Sequence, residues 1–399
     1  MLLDDEIIGL ANLSDRAHAI LKNPDRQIKF QLRKHTPKGK IVDCYLVYHS
    51  TARGPPCKGG IRMSEGVSLE ETTRLAEIMT YKNSLMGLPF GGGKGGIQTS
   101  SSLLPELKET VISGYAHEIR EELYSGAYVP APDLGTGPRQ MADIFDVTHI
   151  RSTVTGKPVG IGGIPGRKEA TGFGIKEATG IATRNILNTE VSDLTVAVQG
   201  FGNVGAWTSK FLEEEGAKIV SISTAEGAIY DEDGIDISKC FESRKHLGDK
   251  CTLECENAEK IELGSELLLD VDILIPAATG GVITKEVAED LQAGLVVEGA
   301  NAPTTNQGDR VLRERDIPVV PDILANAGGV VASYAEWRGA KSGSKTKKRE
   351  TYQVIRENIH EAFDEVLDIS TNIEIPLRKA AMVASARRLR ETMKGRGWI

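Results

Sequence analysis

The chain has 399 residues, enough for two domains with sizeable cores. Its 56 acidic residues outnumber its 48 basic ones, and a net charge of −8 argues against a nucleic-acid partner, which calls for a basic surface. Asp270 and Asp272 interrupt the longest apolar run, so no segment reaches membrane-spanning length and no membrane partner is expected.

Five cysteines (Cys44, Cys57, Cys240, Cys251 and Cys255) form no Cys-x-x-Cys pair. With an acidic start that lacks a signal-peptide charge pattern, they predict a reduced, cytoplasmic protein. Cys251 and Cys255 have no nearby histidine pair, so no metal is expected.

Residues 41–48 and 57–62 read as strands. Leu69, Thr73, Ala76 and Met79 share a face and predict a helix over 69–82. Lys82 falls at its C-terminal end, where backbone carbonyls favour a cation. Leu107, Val111, Tyr115, Ile119 and Leu123 predict a further helix. Between these helices lies Gly91-Gly92-Gly93-Lys94-Gly95-Gly96. Glycines on both sides let backbone approach a substrate, and burial beside other cations lowers a lysine pKa. Such an amine suits proton transfer or carbonyl chemistry, although the hexamer alone also describes a loop. Lys58, Lys82 and Lys94 together offer enough positive charge for a substrate with more than one carboxylate.

From about residue 191 strands alternate with helices, which implies parallel βαβ units. The apolar run 195–199 leads directly into Gly200-Phe201-Gly202-Asn203-Val204-Gly205, then a helix over 203–215. A GxGxxG that follows a strand and opens a helix is a dinucleotide-binding signal. Gly200 serves the tight turn, Gly202 the approach of the pyrophosphate, and Gly205 the close helix packing. Further runs at 271–275, 295–298 and 318–320 end in small or polar clusters, among them Ala277-Ala278 and Asn301. At the tip of the strand 218–223, where NAD-binding proteins place a carboxylate, this chain has Thr224, with Glu226 just beyond. That leans toward NADP over NAD, with Glu226 still able to reach a ribose. Residues 339–349 read as an exposed Gly/Ser/Lys-rich loop, and the chain is helical again from Tyr352, with another helix after Pro376.

These blocks resemble the superfamily of amino-acid dehydrogenases acting on glutamate, leucine, phenylalanine and valine, most closely its glutamate members. The resemblance runs through Lys58-Gly-Gly-Ile-Arg62, Met79-Thr-Tyr-Lys82, the Lys94 hexamer and Pro130-Ala-Pro-Asp133. It continues through Ala170-Thr171-Gly-Phe-Gly174, the Gly200 loop, Glu298-Gly-Ala-Asn301 and Ala325-Asn326-Ala-Gly-Gly. It implies an α/β protein of two domains with the active site in the cleft. A substrate domain, 1–185 completed by helices of 345–399, would accompany a Rossmann-type domain at 186–344. Lys94 resembles the catalytic lysine and Asp133 its proton-transfer partner. Lys82 is similar to the ligand of the substrate α-carboxylate, and Lys58 and Ser333 to ligands of a distal carboxylate. An apolar substrate would leave Lys58 and Ser333 unpaired, so they point to glutamate. Thr171, Asn301 and Asn326 resemble cofactor contacts. The implied reaction interconverts L-glutamate with 2-oxoglutarate and ammonium on NAD(P), in a homohexamer. A dehydrogenase for another acidic amino acid, or a silent paralogue acting as a sensor, is the alternative. The segment after Trp337 departs from the family pattern, and so does Thr224, where an aspartate is common.

Overall fold

A computed structural model describes residues 3–33, 39–255 and 258–399. The chain forms two compact units, one of residues 1–167, 330–354 and 382–399, the other of 168–329 and 355–381.

The first unit is built on β1 (Arg26–Leu32), β2 (Val42–Ser50), β3 (Cys57–Ser64), β4 (Gly91–Gln98) and β5 (Tyr128–Pro132), in the order β1-β2-β4-β3-β5. β2 runs antiparallel to β1 and β4, and β3 runs parallel to β4 and β5. The glycine-rich hexamer is therefore no loop but the middle strand of a covered sheet. The reason is space. A Cβ on Gly92 would lie 2.0 Å from Thr80 Oγ1, and one on Gly96 2.5 Å from Thr72 Oγ1. Both threonines belong to the helix Leu69–Leu85, which lies directly on the strand. Its first turn is capped by Ser68 Oγ, which accepts from Glu71 N at 3.1 Å. The opposite face carries the apolar core, with Tyr115, Tyr128, Met141 and Ile144 fully buried. The helix pattern 107–123 appears as Pro105–Glu118 and a short turn, Arg120–Tyr124.

The second unit holds β6 (Thr195–Gln199), β7 (Lys218–Thr224), β8 (Gly227–Tyr230), β9 (Glu259–Ile261), β10 (Ile273–Pro276), β11 (Leu295–Val297) and β12 (Val319–Val320). Their order is β12-β11-β10-β6-β7-β8-β9. The strands from β12 to β7 are parallel, as the alternating pattern predicts. β8 and β9 are antiparallel additions. Only Ala225 and Glu226 separate β7 from β8, too few for a parallel crossover. The chain leaves β6 for β7 on one side and returns to β10 on the other. That reversal makes a switch point, where open α/β sheets bind ligands.

Residues 168–185 and 355–381, which the sequence reading groups with the substrate domain, pack in this second unit. The helix Ala170–Ala182 meets the helix Asn203–Glu214 through Phe173 and Phe211, edge to face at 5.5 Å. Glu177 accepts from Arg356 Nε and pairs with His360 Nε2, each at 3.1 Å, and Arg378 forks onto Glu298 at 2.7 and 2.9 Å. The expected loop at 339–349 is also shorter than read. The helix Gly328–Ser342 carries through its first residues, and the next helix starts at Lys348. All five cysteines are free thiols.

Candidate active site

Lys58 pairs in register with Gly92, and Lys94 lies two residues further along β4. Side chains alternate along a strand, so Lys58, Gly92 and Lys94 share the face covered by the helix Leu69–Leu85. That helix carries Lys82, buried in its last turn. Asn83 joins it to the sheet by donating from Nδ2 to Gly91 O at 2.9 Å. Asp133 follows β5 immediately. The three lysines and the aspartate predicted from sequence thus converge on one face of one sheet.

Asp133 is held from several sides. Lys94 Nζ donates to its Oδ2 in a short ion pair. Arg62 Nε donates to Oδ1 at 2.9 Å and is anchored in turn by Glu71 at 2.8 Å. The Leu134 amide also donates to Oδ1 at 2.8 Å. Burial raises the carboxyl pKa, but Lys94 and then Arg62 outweigh it and draw the group down to about 2. Thr136 Oγ1 accepts from Asp133 N at 2.9 Å and donates to Ile61 O at 2.8 Å, which fixes the turn onto β3.

Lys58 is fully enclosed. Burial is the largest influence on its ammonium and holds its pKa well below the usual lysine value. Arg167, Lys157 and Lys94 push the same way, and Glu336 opposes them. Ser333, buried in the helix Gly328–Ser342, accepts from Arg167 Nε at 3.1 Å. Arg167 is a functional candidate that the sequence reading passed over. Nothing in Gly166-Arg167-Lys168 marks it as a site residue; only the fold brings it to Ser333.

In the second unit the loop Gly200–Gly205 leads from β6 into the helix Asn203–Glu214. Gly200 has φ +94°, and a Cβ there would lie 2.6 Å from Ala278 Cβ. A Cβ on Gly205 would lie 1.7 Å from Gly200 O. Gly202, by contrast, has nothing within 4 Å of its Cβ position. The loop is thus closed against protein on two sides and open at Gly202, beside a helix N-terminus. That arrangement fits a dinucleotide pyrophosphate. The Phe201 amide donates to Ser223 O at 2.5 Å and the Gly200 amide to Ser223 Oγ at 3.0 Å, which locks the loop to β7. The Asn203 side chain donates to Lys168 O at 2.9 Å, and Val204 continues the helix. Ala277 N donates to Gln199 O at 2.7 Å, which places Ala277 and Ala278 against the same loop. Asn326 Nδ2 donates to Gly299 O, Ala300 O and Asn301 Oδ1, at 3.2, 3.2 and 3.1 Å, and so shapes the strand end that carries Asn301. Thr171 sits in the first turn of the helix Ala170–Ala182.

Thr224 is engaged differently from its sequence reading. Its hydroxyl donates to Asp249 O at 2.6 Å and lies 3.0 Å from Thr252 Oγ1, and the residue is buried. The exposed residues at the β7 tip are Ala225 and Glu226. Among the described residues no group of three or more His, Cys, Asp or Glu is placed to hold a metal, and no helix is long and apolar enough to cross a membrane.

A dinucleotide-type sheet and a lysine–aspartate site on a second sheet define a nucleotide-dependent dehydrogenase class. The family models agree. "Glutamate/Leucine/Phenylalanine/Valine dehydrogenase" matches residues 162–397, and "Glu/Leu/Phe/Val dehydrogenase, dimerisation domain" matches 24–149. The chain is 41% identical over 396 residues to glutamate dehydrogenase A2 of Halobacterium salinarum, covering 97% of this chain and 94% of that one. It is 39% identical to the NADP-specific glutamate dehydrogenase of Saccharolobus shibatae, with 95% and 91% covered. It is 37% identical to the NAD-specific enzyme of Staphylococcus aureus, with 98% and 96% covered. The hetero-hexameric glutamate dehydrogenase of Thermus thermophilus, solved with leucine bound, superposes with a TM-score of 0.91 at 29% identity, over 98% and 95% of the two chains. This chain belongs to the glutamate/leucine/phenylalanine/valine dehydrogenase family.

Proposed function

We propose that the protein catalyses the reversible oxidative deamination of L-glutamate to 2-oxoglutarate and ammonium, with NAD+ or NADP+ as acceptor. The observation that carries the choice of substrate is Lys58, enclosed beside Arg167 and within the same unit as the Arg167–Ser333 contact. A buried ammonium with a half-buried guanidinium near it calls for a carboxylate, and a substrate without one would leave the ammonium without its partner.

The bound nicotinamide supplies hydride acceptance. This chain supplies the rest. Lys82 holds the α-carboxylate. Lys58, Arg167 and Ser333 hold the distal one. Lys94 polarises the carbonyl or imine and orients water, and Asp133 exchanges a proton with the substrate nitrogen. At about 2 the Asp133 carboxyl is a weak base. Its basicity rises when Lys94 turns to the substrate oxygen, because the strongest opposing attraction then weakens and burial acts alone against Arg62. Gly200, Phe201, Gly202, Asn203, Val204 and Gly205 would hold the cofactor's pyrophosphate, and Thr171, Ala277, Ala278, Asn301 and Asn326 would make its further contacts.

In this reading the substrate is held by residues of the first unit, 1–167, 330–354 and 382–399, and the cofactor by residues of the second, 168–329 and 355–381. NADP is weakly favoured, because no carboxylate ends β7. A cytoplasmic homohexamer completes the proposal; the hexameric relative and the dimerisation-domain match support assembly. One assay tests the whole: oxidation of NADH and NADPH with ammonium and a panel of 2-oxo acids. Turnover of 2-oxoglutarate above its apolar counterparts is the expected result.

A further inference from the structure

Glu336 stands one helical turn beyond Ser333 in the helix Gly328–Ser342, so both face the same way. Its side chain is wholly buried and pairs with the equally buried Lys157 Nζ at 2.6 Å. It also accepts from the Gly156 amide at 2.8 Å and the Lys157 amide at 3.4 Å. Lys157 Nζ donates in addition to Val154 O. Gly156 has φ +83°, and a Cβ on it would lie 2.4 Å from Pro132 Cδ, the residue before Asp133. One carboxylate therefore joins the helix carrying Ser333, the loop 154–157 and the strand end carrying Asp133.

The surrounding charge makes this more than a strut. Lys58 is faced by Arg167 from the loop before Lys168, by Lys157, by Lys94 on β4 and by Glu336. Four cations make up that group; Asp133 offsets Lys94, and Glu336 is the anion that acts on Lys58 itself. Burying so many like charges together is costly unless an opposite charge sits among them. We propose that Glu336 is a positioning residue of the distal-carboxylate subsite, holding Ser333 and the 154–157 loop together and supplying the negative charge that lets Lys58 and Arg167 stay ionised side by side. The proposal rests on the glutamate reading above. Electrostatics supports it, since Glu336 is the group that opposes the loss of the proton from Lys58 and from Arg167. Lys157 acts on Lys58 in the opposite sense.

That opposition gives the test. The full-length enzyme is assayed across pH with 2-oxoglutarate and with 2-oxovalerate, which lacks the distal carboxylate. In Glu336→Gln, Lys58 loses its proton at lower pH. The KM for 2-oxoglutarate is expected to rise about tenfold at alkaline pH and to recover toward acid, its alkaline limb moving down by about one unit, the scale of a nearby opposite charge. The kcat, and the KM for 2-oxovalerate, should stay within about twofold. Glu336→Asp should keep the wild-type pH profile. Lys157→Gln should move the limb upward. Equal losses on both substrates, a limb that does not move, or a downward shift in both Gln variants would reduce Glu336 to a structural ion pair and overturn the proposal. If Glu336→Gln does not fold, the direction of the limb in Lys157→Gln decides. A wild type that does not distinguish the two substrates overturns the glutamate reading and this proposal with it. A wild type that does, beside an unmoved limb, overturns this proposal alone.

Discussion

Arg62 and Lys94 divide the Asp133 carboxylate between them, Arg62 Nε at 2.9 Å from Oδ1 and Lys94 on Oδ2. Arg62 stays anchored through Glu71, so Lys94 is the partner free to exchange Asp133 for a substrate oxygen. Lys94→Ala should therefore lower kcat by at least about a hundredfold, the scale of general acid–base catalysis, while cofactor titration is unchanged. Near-normal turnover in a folded variant would remove Lys94 from the chemistry.

The same clamp makes a stability prediction. Asp133 is drawn from 3.8 down to about 2 in the folded state, so its ionised form is stabilised by about 2 kcal/mol. A depressed carboxyl contributes this fully above its unfolded value and loses it as pH falls through the folded one. In urea unfolding, the stability gap between wild type and Asp133→Asn should be constant near neutrality and shrink between about pH 4 and pH 2. Arg62→Met should raise the Asp133 pKa and move the acid limb of kcat/KM upward. An acid limb that does not move counts against Asp133 as the group that titrates there.

Two glycines of the dinucleotide loop should fail in different ways. Gly205→Ala places a methyl 1.7 Å from Gly200 O and should cost stability, about 1–3 kcal/mol or more by thermal unfolding. A Cβ at Gly202 has no protein atom within 4 Å, so Gly202→Val should leave the melting temperature near wild type. Its KM for NAD(P) should nevertheless rise by about tenfold or more, because the side chain stands where the pyrophosphate approaches. A Gly202→Val enzyme with unchanged cofactor KM would move that site elsewhere.

Thr224 separates cofactor selectivity from folding. Its hydroxyl is spent on Asp249 and Thr252, so Thr224→Val should lower stability by about 1 kcal/mol. The NADPH-to-NADH ratio should change little, whereas a change at exposed Glu226 should move it. A large shift in the ratio with Thr224→Val would return the 2′-position contact to the threonine.

Much of this site was legible because its chemistry is local in sequence. Gly200 to Gly205 states a turn, an approach and a packing contact within one loop. Lys58, Lys82, Lys94 and Asp133 each lie beside glycine, a helix end or proline. Less legible was anything that depends on contact across the fold. Glycines 91–96 look like a loop until Thr72 and Thr80 are seen lying on them. Arg167, Lys157 and Glu336 are ordinary charged residues in sequence, and only long-range packing buries Lys157 with Glu336 and brings Arg167 to Ser333. Thr224 sits at the expected strand tip, but the direction of its hydroxyl depends on a segment 25 residues away. The antiparallel pair β8 and β9 was missed because short strands carry little periodicity.

The central claim is that Lys58 selects a dicarboxylic amino acid, and wild-type kcat/KM for glutamate against leucine and norleucine tests it most directly. A distal carboxylate paired to a buried ammonium is worth roughly 3 kcal/mol, so glutamate should be favoured by at least about a hundredfold. Lys58→Leu with Ser333→Val should lose most glutamate activity and gain relative activity on the apolar amino acids. Equal wild-type activity on leucine and glutamate would contradict the account.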